Sequence, residues 1–185
     1  MTLAELLAIA VRALEAEGIP YMLTGSLASS FHGEPRSTRD IDFVIDPDPA
    51  ALDRLVARLA AEDMYVHADA ARDALAARGQ FNAVAGDAKI DFMVRKDRPF
   101  SISEFGRRQR VRLPDSEADI VSLEDLIIAK LAWAAETGSD RQKRDVMGMI
   151  EVAGSDLDRA YVERWTTQLG MVEAWREVDR AGDSR

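Results

Sequence analysis

Asp40-Ile41-Asp42-Phe43-Val44 alternates acidic and apolar side chains, the period-two pattern of a β-strand with one buried face. Residues two apart on a strand project from the same side, so Asp40 and Asp42 stand next to each other. Two carboxylates on the face of a partly buried strand repel one another and lose hydration. A fold that keeps them there usually neutralises them with a cation. Oxygen donors without cysteine or clustered histidine suit Mg²⁺ or Mn²⁺ rather than zinc. Taken alone, the same pattern also fits a solvent-facing edge strand. The design recurs in Lys89-Ile90-Asp91-Phe92-Met93-Val94, where Asp91 shares a face with Lys89 and Met93. If the two strands are neighbours, Asp91 completes a three-carboxylate cluster able to hold two divalent ions about 3.5–4 Å apart, as in-line displacement at phosphorus requires.

Upstream, Thr24-Gly25-Ser26 follows a short apolar run, 21–24, and precedes a small-residue helix expected over 27–32. Gly25 permits close backbone approach, and Ser26 with the helix-start amides can cradle phosphate oxygens. A helix is expected from Leu3 until Gly18 and Pro20 end it. Asp48-Pro49 opens another to about Ala61. A strand at 64–67, a helix at 69–78 and a hairpin of 80–84 with 88–94 follow. Ser101 and Glu104 read as a capping box before a strand at 109–113, and Ser122 with Asp125 as a second. After Pro114 the signals are helical: 122–136, 141–152, 157–169 and a final polar segment. The expected fold class is α/β (α+β), a mixed β-sheet flanked by helices over residues 1–115, with a helical part over 116–185 packed on it.

The 185 residues carry 24 Lys plus Arg against 33 Asp plus Glu, a formal charge of −9. This acidity opposes bulk binding of nucleic acid. With 47% hydrophobic residues the chain is too apolar for disorder. The absence of cysteine excludes disulfides, zinc ribbons, iron–sulfur clusters and a thiol nucleophile, and two histidines leave little for a histidine metal site. Glu5, Arg12 and Glu15 interrupt the first apolar pattern, so neither a signal peptide nor a membrane span is expected, and the protein is read as cytoplasmic.

Gly25-Ser26, thirteen residues, Asp40-Ile41-Asp42 and a later strand bearing Asp91 together resemble the nucleotidyltransferase superfamily typified by DNA polymerase β. Thr38-Arg39 and the helix Leu123-Glu124-Asp125-Leu126-Ile127-Ile128-Ala129-Lys130-Leu131 narrow the resemblance to small bacterial nucleotidyltransferases grouped with abortive-infection, type IV toxin–antitoxin toxins. The resemblance implies transfer of a nucleoside monophosphate from an NTP to an acceptor hydroxyl on tRNA, a protein or a small molecule, with release of pyrophosphate. It implies Asp40, Asp42 and Asp91 as catalytic and metal-binding residues. Gly25, Ser26, Arg39 and Lys130 would bind the nucleotide, and a cognate antitoxin would be a partner. Arg141, Lys143, Arg144 and Asp145 match a charged element of the family, equally readable as a solvated helix start.

Other polar residues are read as structural. His32 resembles a cap or surface histidine and His67 a surface one, Ser29-Ser30 lacks a nucleophile-elbow context, and Trp133, Trp165 and Trp175 sit among aliphatics at helical spacing. Arg108, Arg110 and Arg112 share one strand face, either a track for RNA or nucleotide phosphates or a charged edge guarding against aggregation. A non-catalytic binding module of the same fold is the rival reading, which the intact acids oppose.

Overall fold

The alternation seen at 40–44 and 89–94 builds a sheet of seven strands. The computed structural model describes residues 2–113 and 116–182. In chain order these form α1 (Leu3–Ala16), β1 (Tyr21–Thr24), α2 (Gly25–His32), β2 (Asp40–Ile45), α3 (Pro49–Ala61), β3 (Tyr65–Val66), α4 (Ala68–Ala77), β4 (Gln80–Ala85) and β5 (Ala88–Val94). There follow α5 (Pro99–Gly106), β6 (Gln109–Leu113), β7 (Ser116–Ile120), α6 (Leu123–Thr137), α7 (Asp140–Ala153), a 3₁₀ turn, α8 (Arg159–Gln168) and α9 (Val172–Gly182). The strand order is β3-β4-β5-β2-β1-β7-β6. β2 runs parallel to β5 and antiparallel to β1, so the sheet is mixed, as expected. Among the described residues, no helix is long and apolar enough to cross a membrane.

The chain divides into two units, one of residues 1–27 with 37–121, the other of 28–36 with 122–185. The first holds the whole sheet. Its core is a cross-strand row in register, Leu23–Phe43–Phe92–Phe81. The Phe43 and Phe92 rings lie 5.9 Å apart, those of Phe92 and Phe81 5.1 Å, both stacked. Their neighbours Ile41, Ile45 and Ile90 are fully buried on the same alternation. Helix starts are fixed locally: Thr2 and Glu5 form a reciprocal capping box on α1, and Asp48 Oδ1 accepts the Ala51 N–H at 2.8 Å ahead of Pro49 on α3.

Several local expectations shift. α2 begins at Gly25, two residues early. Ser101 and Glu104 do not cap α5, because Pro99 has already started that helix with Arg98 at the cap position. β7 is a strand where only helix was expected; Ala118 and Ile120 are buried and its acids alternate between them. The boundary expected after residue 115 falls on Pro114 and Asp115, outside the described residues, and the first unit continues to Val121. The final segment, read as polar, is an amphipathic helix that buries Trp175 and Val178; residues 183–185 lie outside the described residues.

Phe92→Ala removes the central ring of the aromatic row. It should lower stability by about 3–5 kcal/mol in chemical denaturation, beyond what any exposed substitution costs. A loss under about 1 kcal/mol would show that this row is not the core of the sheet.

Candidate active site

Two neighbouring strands, β2 and β5, bring the acids together. In register, Asp42 lies between Thr24 on β1 and Asp91 on β5, and Asn82 on β4 lies beyond Asp91. Asp40 lies opposite Lys89. Strands sit about 4.8 Å apart, so Asp42 and Asp91 are immediate neighbours on the face opposite the phenylalanine row. Asp40 is exposed, whereas Asp42 and Asp91 are half-buried. The three acids share one face and one end of the sheet. Among the described residues, however, no three His, Cys, Asp or Glu side chains are gathered into a ready metal cage.

The glycine turn is built around Asp42. Gly25 has φ +67°, and a methyl on it would overlap the Asp42 carboxylate, sitting 2.7 Å from Asp42 Cβ. Only glycine combines that backbone with that approach. The backbone N–H of Ser26 donates to the Asp42 carboxylate. The close approach that Gly25 permits is made to the Asp42 carboxylate. Burial pushes the Asp42 carboxyl up, Asp91 and Asp40 add repulsion, and Ser26 and Lys89 offset part of it. Lys89 Nζ lies 2.7 Å from Asp91 Oδ2, and this hydrogen bond, with the fields of Asp91, Asp40 and Asp42, holds the ammonium above its ordinary value. The sequence placed Lys89 on the Asp91 face without giving it a role; its two-residue spacing was the available signal.

The donor set fits a hard divalent cation. The side chains are carboxylates, two of them adjacent and repelling, and a cation, the Lys89 ammonium, already stands on one. Beside them Arg39 is exposed and lines a cleft of about 600 Å³ with Thr38, Asp63, Gly86 and Asp87. Thr38 Oγ1 accepts the Asp40 N–H at 3.3 Å, fixing the entry into β2.

Lys130 belongs to the second unit. Its ammonium is nearly buried and donates to Asp145 Oδ2 and Gln142 Oε1, each at 2.8 Å; Arg36 Nη2 reaches the same Asp145 oxygen at 3.2 Å. Burial pushes Asp145 up, but Lys130 and then Arg36 outweigh it and hold the carboxyl below its ordinary value. Buried Asp125 accepts from Ser122 and Tyr161 hydroxyls at 2.6 and 2.7 Å, so its cap on α6 is also a tie to α8.

The arginine face is balanced. Arg110 lies opposite Asp119 and Arg112 opposite Glu117 across β6 and β7. Arg108 pairs with Asp119 at 3.3 Å and Arg110 with Glu15 at 2.6 Å. β6 is an edge strand; Arg108 lies just before it, and Arg112 stays largely exposed with Glu117 at 3.5 Å. His67 is not merely a surface residue: its Nδ1 accepts the Ala70 N–H and caps α4. Trp175 is core, while Trp133 is 55% exposed.

A seven-stranded mixed sheet with acids in register beside a glycine turn defines a nucleotidyltransferase-type fold. The chain belongs to the family described as nucleotidyl transferase AbiEii toxin of type IV toxin–antitoxin systems, which matches residues 8–147. Nucleotide transfer is thus its general class of activity. Solved structures agree on the fold. The antibiotic-resistance factor ANT(2″)-Ia, solved with adenylyl-2″-tobramycin, is 16% identical with a TM-score of 0.62, over 96% of this chain and 98% of that one. An antigenic nucleotidyltransferase-like protein from Paracoccidioides brasiliensis is 16% identical at 0.59, over 98% and 93%. The lincosamide antibiotic adenylyltransferase LnuA is 13% identical at 0.55, over 82% and 98%. No curated protein matches the chain.

Two stability predictions follow from these charges. Asp42 has a native pKa raised above its unfolded value, so its ionised form costs stability at neutral pH, and that cost disappears as pH falls through the raised value. Metal-free Asp42→Asn should therefore melt higher than the parent at pH 7, by about 2–4 °C per kcal/mol relieved, and the gap should close on acidification. An unchanged or lower melting temperature at pH 7 would remove repulsion from the account. Asp145 has the opposite sign: its contribution is present above the ordinary carboxyl range and lost as pH falls through its lowered value. Asp145→Asn strands Lys130 and should cost about 3–5 kcal/mol in urea denaturation.

Proposed function

We propose that the carboxylate end of the sheet transfers a nucleoside monophosphate from an NTP to an acceptor hydroxyl. The observation that carries this reading is the register of Asp42 and Asp91 on one face, with the Gly25 turn pressed against Asp42. Asp40, Asp42 and Asp91 would hold Mg²⁺ or Mn²⁺. Such an ion, when bound, neutralises charge on the phosphates and acidifies a coordinated hydroxyl. Asp91 takes up the acceptor's proton. The acceptor oxygen bonds to the α-phosphorus, the bond from that phosphorus to the bridging oxygen breaks, and pyrophosphate leaves with that electron pair. Gly25 and Ser26 keep Asp42 aimed, and the amides at the start of α2 receive phosphate oxygens. Arg39, exposed in the cleft beside Asp40, binds the nucleotide.

Lys130 has a prior commitment to Asp145 and Gln142, so a contact with nucleotide phosphate would require it to share or release that pair. The balanced arginine face gives tRNA no special claim as acceptor over a protein or a small hydroxylated molecule. The last class is the one that the names of ANT(2″)-Ia and LnuA give for those proteins. As a toxin of a type IV pair, the chain would act in the cytoplasm with a cognate antitoxin as partner.

Incubation with labelled NTPs, Mg²⁺ and a cell extract should label an acceptor and release pyrophosphate. Asp42→Asn and Asp91→Asn should each reduce this at least about 100-fold while circular dichroism stays native, because each removes a negative charge the reaction depends on. Unchanged transfer in both variants would end the catalytic reading. NTP binding by calorimetry that ignores Mg²⁺ would favour a binding module instead.

A further inference from the structure

Lys89 is a cation set among the acids that are proposed to hold metal. It lies directly opposite Asp40 and two residues before Asp91, so its side chain and the three carboxylates leave the sheet from one face. Its Nζ is 2.7 Å from Asp91 Oδ2, the distance of a strong charge-assisted hydrogen bond. Asp40 and Asp42 also act on it through their charges, and Asp42 is relieved in turn. The lysine side chain is 39% exposed and that of Asp91 19%, so the ammonium can swing out on its flexible stem while the carboxylate stays in place.

A divalent ion on Asp91 would need the oxygen that this ammonium holds, and the two cations would repel at contact range. We infer that Lys89 is a built-in competitor of the divalent cation, which enters the site by exchange with the ammonium. The exchange balances charge. The pair Asp42–Asp91 is partly neutralised by Lys89 before the metal arrives, and a free metal ion gains less than the acids alone would give it. A triphosphate changes that balance. Its added negative charge favours the dication and offers the displaced ammonium a new anionic partner, so Lys89 links metal entry to nucleotide entry.

The inference rests on the metal-dependent reading above, and direct Mn²⁺ titration of the full chain without nucleotide separates the two. Free Mn²⁺ is read by electron paramagnetic resonance for the parent, Lys89→Met and Lys89→Arg. Lys89→Met should bind Mn²⁺ about tenfold more tightly than the parent, a discounted Coulomb gain for a half-exposed site. Lys89→Arg, which keeps a cation there, should stay within about threefold of the parent. Without metal, Lys89→Met should melt below the parent, and saturating Mn²⁺ should close the gap. Measurable binding that is equal or weaker in Lys89→Met overturns the competition and leaves the metal reading standing. No Mn²⁺ binding by any of the three proteins at millimolar concentration, with or without a non-hydrolysable NTP analogue, overturns both. Should Lys89→Met not fold, Lys89→Gln makes the same comparison.

Discussion

Negative charge held at the end of a sheet is the constraint around which the first unit is arranged. Asp42 is half-buried, faces Asp91 across one strand spacing, and cannot be moved without shifting the phenylalanine row on the other side of the same strands. Its neighbours are chosen by that problem. Gly25 is glycine because a Cβ there would overlap the carboxylate, Ser26 supplies an amide, and Lys89 supplies a charge. The apolar face fixes where the strands lie, and the polar face inherits the resulting proximity. The crowded like charges cost stability, an arrangement that is common at functional sites.

The second unit meets a related problem with another solution. Lys130, Asp145 and Arg36 form an ion-paired group in which the two central side chains are almost excluded from solvent. Such a group adds little net stability compared with apolar packing, but removing one member is costly. It fixes the register of α6 against α7, because Lys130 also bonds Gln142 one turn before Asp145. The family resemblance offers Lys130 to the nucleotide, whereas its contacts within this unit already give it a structural reason to be a lysine.

Where a residue's partners lie close in sequence or repeat a simple period, the sequence was enough. The strand 21–24 follows from a short apolar run, those at 40–45, 80–85 and 88–94 from alternation and from Gly86-Asp87, and α3 from Asp48-Pro49. The shared face of Asp40 and Asp42 needs only the two-residue period of a strand. What the sequence left undetermined is which strands are neighbours. That Asp91 stands beside Asp42 follows from parallel pairing of β2 with β5, separated by two helices and two strands, and nothing local encodes that register.

The same limit explains the arginines. Arg108, Arg110 and Arg112 formed a basic face on paper because their partners, Asp119, Glu117 and Glu15, sit on another strand and on α1. β7 was overlooked because Ser116-Glu117-Ala118-Asp119-Ile120 is short and acidic, with small Ala118 at one of its two inward positions, a weak local signal that pairing with β1 and β6 makes good. Alone, therefore, the sequence determined the chemistry available, the period that aligns it and the family it resembles, since these are properties of neighbours along the chain. The tertiary structure decided which charges meet and which are already neutralised. Coulomb interactions depend on distance in space, and folding sets that distance between residues far apart in the chain.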